Sequence, residues 1–383
     1  MIAIKAGELR TMGVEGTIED AVLLIEQDRI TGIGRDLEIP DRAEVYDYSD
    51  RIITPGLIDA HTHLGIGEEG LGWEGADYNE MTSPITPELR AVDAINPEDQ
   101  GIKDAREHGI TTVMAGPGSA NVIGGECLAL KTGGRLVDEM IVKNPVGIKA
   151  AFGENPKRVY KEKNQSPSTR MAVAALLRKT FVETENYLNK KKSKKDDEPF
   201  ERDLKYEALI PVLQGELPLK THAHRADDIM TALRIAREFS LKLTVEHCTE
   251  GHKIAEELAE ARVPAIVGPS MTTRSKVEVR ERDFKTAAVL AEAGVTVAIM
   301  SDHPVVPVHN LTLYAALAAK AGLPRDEAFK AITINPARIL GIADRVGSLE
   351  EGKDADLVVF SDDPFQVTAE VEAVFISGEK LED

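Results

Sequence analysis

The 383-residue chain has little of what marks several functional classes. Cysteine is scarce: Cys127 and Cys248 stand far apart and form no C-x-x-C pair. Neither a disulfide framework nor a cysteine-rich zinc site is therefore supported, and a reducing, cytoplasmic setting is expected. No stretch approaches the roughly 20 apolar residues that a membrane span needs. Met1-Ile2-Ala3-Ile4-Lys5 shows no basic segment followed by an apolar core, so neither export by a signal peptide nor membrane insertion is expected. Positive charge is also in deficit, with 46 Lys and Arg against 65 Asp and Glu and a net charge of −19. Such a field repels phosphate backbones and anionic lipid, so neither nucleic acid nor a membrane surface is an expected partner. The dense basic run from Lys190 to Lys195 is followed at once by Asp196-Asp197-Glu198 and reads as solvated surface. Glycine-rich Ala115-Gly116-Pro117-Gly118 and Gly124-Gly125 lack the Gly-Lys-Ser/Thr of a nucleotide P-loop. There is no tandem repeat.

What is present fits a globular α/β protein: 42% hydrophobic and 29% charged residues, enough for a sizeable core without staples. From Met1 to about Ile53 the chain shows short β runs and no helix. After Thr54-Pro55-Gly56, apolar runs alternate with long amphipathic segments, the pattern of strands joined by crossover helices. Candidate strands are Leu57 to His63, Thr111 to Ala115, Glu126 to Lys131, Val146 to Phe152, Leu217 to Ala223, Lys242 to His247, Pro264 to Gly268 and Val295 to Ser301. That set is what a closed barrel of the (β/α)8 kind needs, and such a barrel takes about 250 residues, leaving room for one smaller domain. The third is the weakest, because the glycine pairs on either side of it suggest a hairpin as readily as a barrel strand. Helices are expected over Ala226 to Phe239, His252 to Ala261 and Asp283 to Ala293. The long insertion between Gly153 and Pro218, with a helix from about Thr169 to Leu188, is expected to overhang the barrel mouth. The tail reverts to β at Ala355 to Phe360 and Val371 to Ile376. Residues 1–53 and 345–383 are thus expected to pair into one small β domain beside a barrel of residues 54–344.

Chemistry concentrates at the strand ends. His61-Thr62-His63 closes the first candidate strand, and residues two apart on a strand share a face. His222-Ala223-His224 closes the fifth and Glu246-His247 the sixth. An isolated H-x-H is more often two surface histidines than a metal site. Here five of nine histidines fall at the C-terminal ends of three strands, where barrel enzymes place their chemistry, and imidazole is a common ligand of zinc, iron and nickel. Asp302, in Ser301-Asp302-His303 after the last strand, adds a carboxylate that would otherwise read as a cap. His303, His252 and His309 are nearby candidates for substrate contact, whereas His108 before Gly109 reads as the end of a helix.

These residues carry a resemblance. Pro55-Gly56-Leu57-Ile58-Asp59-Ala60-His61-Thr62-His63, the strand-end His222 and His247, Asp302, Asn335-Pro336-Ala337-Arg338-Ile339-Leu340-Gly341 and Gly347 to Leu357 together resemble the amidohydrolase superfamily over nearly the whole chain. The resemblance is closest to the branch of imidazolonepropionase-like proteins and metal-dependent Xaa-Pro dipeptidases. It implies a TIM-like (β/α)8 barrel with a small β-sandwich built from both chain ends, and one or two divalent metal ions, zinc first, with iron, manganese or nickel as alternatives. By position, it implies His61 and His63 on the more buried metal, His222 and His247 on the more exposed one, and Asp302 on the metal-bound water. Lys149 occupies a place comparable to the carboxylated lysine of binuclear members, and Glu154 resembles the glutamate that deacetylase members use instead; both remain open. Ring-directed members place a glutamate shortly after the fifth-strand histidine, whereas Ala223-His224-Arg225-Ala226 offers no acid before Asp227, which favours simple amide hydrolysis.

The expected activity is cleavage of a C–N bond, amide or cyclic amide, in a small molecule by metal-activated water. Asp302 would carry the proton, His224 or His247 would steady the oxyanion, and Arg225 would hold a substrate carboxylate. An Xaa-Pro-type dipeptidase is the rival within enzymes, and a catalytically silent assembly protein of the same fold is the rival from another class. A homo-oligomer is expected.

Overall fold

The computed structural model describes residues 1–195 and 199–381. Asp196, Asp197 and Glu198, which follow the basic run, lie outside the described residues. The N-terminal strands are β1 (Ile2–Arg10), β2 (Thr17–Glu26), β3 (Arg29–Gly34) and β4 (Glu44–Pro55). Next come β5 (Leu57–Thr62), β6 (Ile110–Ala115), β7 (Ile123–Lys131), β8 (Ile141–Ala151), β9 (Leu219–Ala223), β10 (Leu243–His247), β11 (Ala265–Val267) and β12 (Val297–Ile299). The tail adds β13 (Leu357–Phe360), β14 (Val371–Ile376) and β15 (Glu379–Lys380).

Both chain ends share a seven-stranded sheet in the order β15-β14-β13-β4-β1-β2-β3. The β1–β4 ladder slips register between Ala6 and Glu8. Gly7 permits the slip, since a Cβ there would stand 2.6 Å from the Ser49 carbonyl oxygen. Such a bulge bends a strand, and the sheet folds over itself: Phe375 of β14 meets Tyr46 of β4 edge-on at 5.5 Å. Ile4, Leu23, Ile53, Leu357 and Val359 then share one core.

Strands β5 to β12 form the second sheet, neighbours in chain order. Its two edges meet at the top, where the His63 N–H donates to His303 O at 2.8 Å and the Asp302 N–H to His61 O at 3.2 Å. Lower down, the Ile58 and Ile299 N–H groups donate to Ile332 O and Ala331 O, so the segment before helix Ile334–Leu340 wedges the seam. The strand period of two divides the sheet's side chains. Val113, Leu130, Leu219 and Val245 pack with helix residues such as Ile229 and Leu233. Ile58, Ala60, Met114, Cys127, Ile266 and Met300 fill another cluster with Leu340, Ile342 and Val346. Pro55-Gly56 joins the two sheets, and a Cβ on Gly56 would fall 1.9 Å from Thr111 Oγ1, so only glycine lets β5 lie this close to β6.

Two features differ from expectation. β7 runs antiparallel to both β6 and β8, because residues 116–122 and the short helix Val137–Met140 are too brief for a parallel crossover, which takes a dozen residues or more. The insertion is also divided: its first helix, Glu154–Glu162, brings Asn155 and Arg158 to the wall of the cavity at the barrel mouth, while its long helix does not reach the mouth. That helix, Arg170–Ser193, lies against helix Ala226–Phe239 on the barrel's flank, through the Phe181–Phe239 ring contact and the Arg170–Asp228 and Arg178–Glu238 pairs. Val173, Leu177 and Phe181 are buried on that side, and an apolar face of this kind settles on core rather than over water. Among the described residues no helix is long and apolar enough to cross a membrane.

Candidate functional site

The C-terminal ends of β5, β9, β10 and β12 bring His61, His63, His222, His224, His247 and Asp302 together beneath a cavity of about 370 Å³, a small-molecule size. Backbone shape aims two of them. His247 (φ 71°) and Asp302 (φ 58°) lie in the left-handed region, which side chains rarely adopt and which clusters at functional sites.

Acceptors on one ring nitrogen orient the imidazoles. His61 Nδ1 donates to Glu246 Oε2 at 2.6 Å, His63 Nδ1 to Gly116 O at 2.7 Å, and His247 Nδ1 to Gly268 O at 2.9 Å. Fixing Nδ1 in this way leaves Nε2 with a lone pair for a ligand. Nε2 of His61 and of His63 lie 3.3 Å and 3.5 Å from Asp302 Oδ1, and Lys149 Nζ stands 3.2 Å from His61 Nε2. His224 Nδ1 is 2.8 Å from Thr249 Oγ1, while neither ring nitrogen of His222 has a hydrogen-bond partner among the described residues.

Burial dictates the protonation states. It lowers the pKa of His63, and takes those of His222, His224 and His247 well below the usual imidazole value, with neighbouring cations adding to the effect. Neutral imidazoles are the form that binds metal. Burial also lowers Lys149. Burial alone would raise Asp302, yet His247, His61 and His63 hold its carboxyl well below the ordinary range. The outcome is a carboxylate among neutral rings, a donor set suited to a first-row divalent ion.

Several supporting charges were not singled out from the sequence. Glu246, buried inside β10, also meets Lys220 Nζ at 3.1 Å; burial would raise its pKa, but Lys220 and His61 depress it. Asp59 accepts from the His61 N–H at 3.0 Å, and from Ser301 N and Oγ at 2.9 and 2.6 Å, so it clamps the first barrel strand to the last. An acid within an apolar strand is the signal that marks both Glu246 and Asp59. Glu278, after β11, has no such signal among the charged residues Lys276 to Asp283, yet it is buried with Oε1 3.8 Å from His222 Nε2 and 3.7 Å from His224 Nε2.

Other expected contacts are not drawn to the cavity wall. Arg225 is partly exposed and forked onto Asp227 at 2.8 and 3.0 Å. Glu154 contributes its backbone N–H, 2.9 Å from Glu278 Oε2. His303 packs against Gly101 and lies 3.9 Å from Glu69; burial lowers it to about 4. The His108 and His309 rings lie 5.0 Å apart, tilted by 35°, and His252 bonds Thr286. The cations that do line the cavity are Arg158, Lys276 and Arg282.

Known proteins share this architecture. A crystal structure of an amidohydrolase from Thermotoga maritima MSB8 superposes with a TM-score of 0.97 at 44% identity, covering 100% of both chains. The amidohydrolase tasK of Hapsidospora irregularis is 30% identical over 93% of this chain, and the chain spans 39% of that relative's length. An imidazolonepropionase from Paracoccus denitrificans (strain Pd 1222) is 27% identical over 91% of this chain and 89% of its own. With the Amidohydrolase family matching residues 52–381, across the barrel strands and the tail of the shared sheet, the chain belongs to that family.

Proposed function

We propose that the chain is a metal-dependent hydrolase that cleaves a C–N bond, amide or cyclic amide, in a small molecule. The observation that carries this reading is the convergence of buried imidazoles, three with Nδ1 tied to an acceptor, on the carboxylate of Asp302. Side chains with unpartnered ring nitrogens, such as His222, fit a metal ion better than a solvated pocket. In this reading His61 and His63 hold one ion position with Asp302 facing it, and His222 and His247 hold a second. Lys149, beside His61, is the neighbour able to lie between them. A divalent ion held by these residues would supply Lewis-acid chemistry, polarising the scissile carbonyl and acidifying water.

The chain's own residues then handle the proton. Asp302, ionised and close to both His61 and His63, accepts it from water and returns it to the leaving amine. Glu246 keeps His61 in the tautomer that presents Nε2. The cavity admits a small substrate, and Tyr78, stacked on His63 at 5.1 Å, forms part of its wall.

The test combines elemental analysis of freshly purified protein with a screen for acid and amine release from simple and cyclic amides. His61→Ala and His63→Ala are expected to abolish turnover and lower bound metal. Full metal content and activity in both variants would remove the basis of the reading.

A further inference from the structure

We propose that the second ion position is a three-histidine, one-carboxylate site completed by His224 and Glu278, with His222 and His247. The proposal rests on the metal-dependent reading above and assigns two ligands beyond it. It also gives His224 a ligand's role in place of the oxyanion contact expected from the sequence.

Three buried nitrogens and one carboxylate carry it. Among the described residues, Nδ1 and Nε2 of His222 and Nε2 of His224 make no hydrogen bond, Glu278 Oε1 has only the Lys276 ammonium beside it, and these residues are only 2%, 4% and 2% exposed. Native proteins seldom leave buried polar atoms unsatisfied, and each such atom calls for an explanation. Here they converge: Glu278 Oε1 is 3.8 Å from His222 Nε2 and 3.7 Å from His224 Nε2, and ligand atoms of His222, His224 and His247 lie within 4.8 Å of one another. Donors on a tetrahedral ion at 2.0–2.1 Å are about 3.4 Å apart. The two Glu278 distances lie a few tenths of an ångström above that spacing, and the imidazoles would draw in further around an ion.

Glu278 is also held for the task. Its Oε2 accepts the Glu154 N–H at 2.9 Å, which turns Oε1 towards the two imidazoles. Lys276 Nζ stands 2.8 Å from Oε1 and 3.1 Å from Asn155 Oδ1. This ammonium is the counter-charge of the ion-free carboxylate, and its side chain, at the cavity wall, can withdraw when an ion replaces it. Imidazole nitrogen with one carboxylate suits zinc, cobalt, iron or manganese better than calcium or magnesium, which favour all-oxygen shells.

The test is titration of chelator-stripped protein with Zn²⁺ and Co²⁺, followed by calorimetry, elemental analysis after dialysis and visible absorption of the cobalt form. The unsubstituted chain is expected to hold two ions. Glu278→Gln keeps the acceptor for the Glu154 N–H and should retain the ion at His61 and His63. Its second ion should bind at least about tenfold more weakly, with shifted cobalt bands. His224→Gln should do the same. Lys276→Met should tighten the second ion by removing a competing cation, and it provides an independent reading where either other variant fails to fold. Second-ion affinity and cobalt bands unchanged in all three variants would overturn the proposal and leave the hydrolase reading standing. A single ion insensitive to all three would overturn it likewise. An unsubstituted chain that takes up no ion would overturn both.

Discussion

Two clusters of buried charge stand at opposite ends of the barrel, and they are built differently. At the junction with the seven-stranded sheet, Lys131 Nζ is gripped by Asp354 at 2.7 Å, Asp356 at 2.9 Å and Ser377 Oγ at 2.7 Å. Asp354 also receives Arg345 at 2.7 Å, and Asp356 the Ser377 N–H at 2.7 Å. Of these charged atoms only Asp356 Oδ2 lacks a hydrogen-bond partner among the described residues. At the mouth, by contrast, both ring nitrogens of His222 and Nε2 of His224 have no hydrogen-bond partner among the described residues. Similar residue types thus serve two purposes. Where the charges satisfy one another they fix the sheet to the barrel, and where they do not they form a place for something else to bind.

The harshest way to break the junction is to remove residues 345–383, proposed to form one unit with residues 1–53. That deletion strips β13 from β4 and exposes the core containing Ile4, Leu23 and Ile53, so the truncated chain is expected to be insoluble. Recovery of a soluble, active barrel would dissolve the pairing. Lys131→Met is milder. It leaves buried Asp356 without its cation, while Asp354 keeps Arg345 and Arg29, and should cost about 3–5 kcal/mol in urea unfolding, with metal content and turnover of the folded fraction unchanged. Lost metal at unchanged stability would erase the distinction between the two clusters.

Acid should separate them as well. His222, His224, His247, His63 and His303 have folded pKa values below the unfolded value of about 6.5, His303 at about 4. As pH falls below 6.5 the unfolded chain binds protons that the folded mouth refuses, so stability falls with pH. Asp354 acts in the same direction but in a lower window: burial would raise its pKa, but Lys131 and Arg345 lower it, so its contribution is full above the unfolded carboxylate range and is lost as pH falls through the lowered folded value. Asp59, raised to about 6 by burial, offsets part of the imidazole effect. Metal-stripped protein should therefore show a falling thermal midpoint between about pH 6.5 and 5. A midpoint flat across that window would deny that the imidazoles are buried and neutral. The smallest expected effect is that of Arg225→Ala: partly exposed and bonded to Asp227, it should shift stability by no more than about 0.5 kcal/mol and leave kcat/KM nearly unchanged. A large rise in KM would place Arg225 on the substrate after all.

The sequence made the mouth partly legible because H-x-H at a strand end has a fixed geometry: residues two apart share a face, and His222 with His224 lies as that rule requires. The eight strand positions were legible from apolar runs. Strand direction was not, since β7 reads the same in either sense and only the short connections around it decide. Glu278 was illegible for another reason. Its place beside His222 depends on how a loop after β11 folds back onto the Glu154 N–H, which no local pattern records. The insertion's amphipathic helix was seen, but periodicity says that a face is buried without saying against what.

The central claim, that Asp302 carries the proton within a histidine-held metal site, is tested most directly by measuring turnover and bound metal side by side in Asp302→Asn. The amide preserves shape but cannot take a proton from water, while His61, His63, His222 and His247 remain to hold metal. Metal is expected to stay largely bound and turnover to fall by at least roughly 10²- to 10⁴-fold, with substrate binding changed far less. Turnover and metal content both equal to those of the unsubstituted chain would contradict the account and reduce Asp302 to a cap at the end of β12.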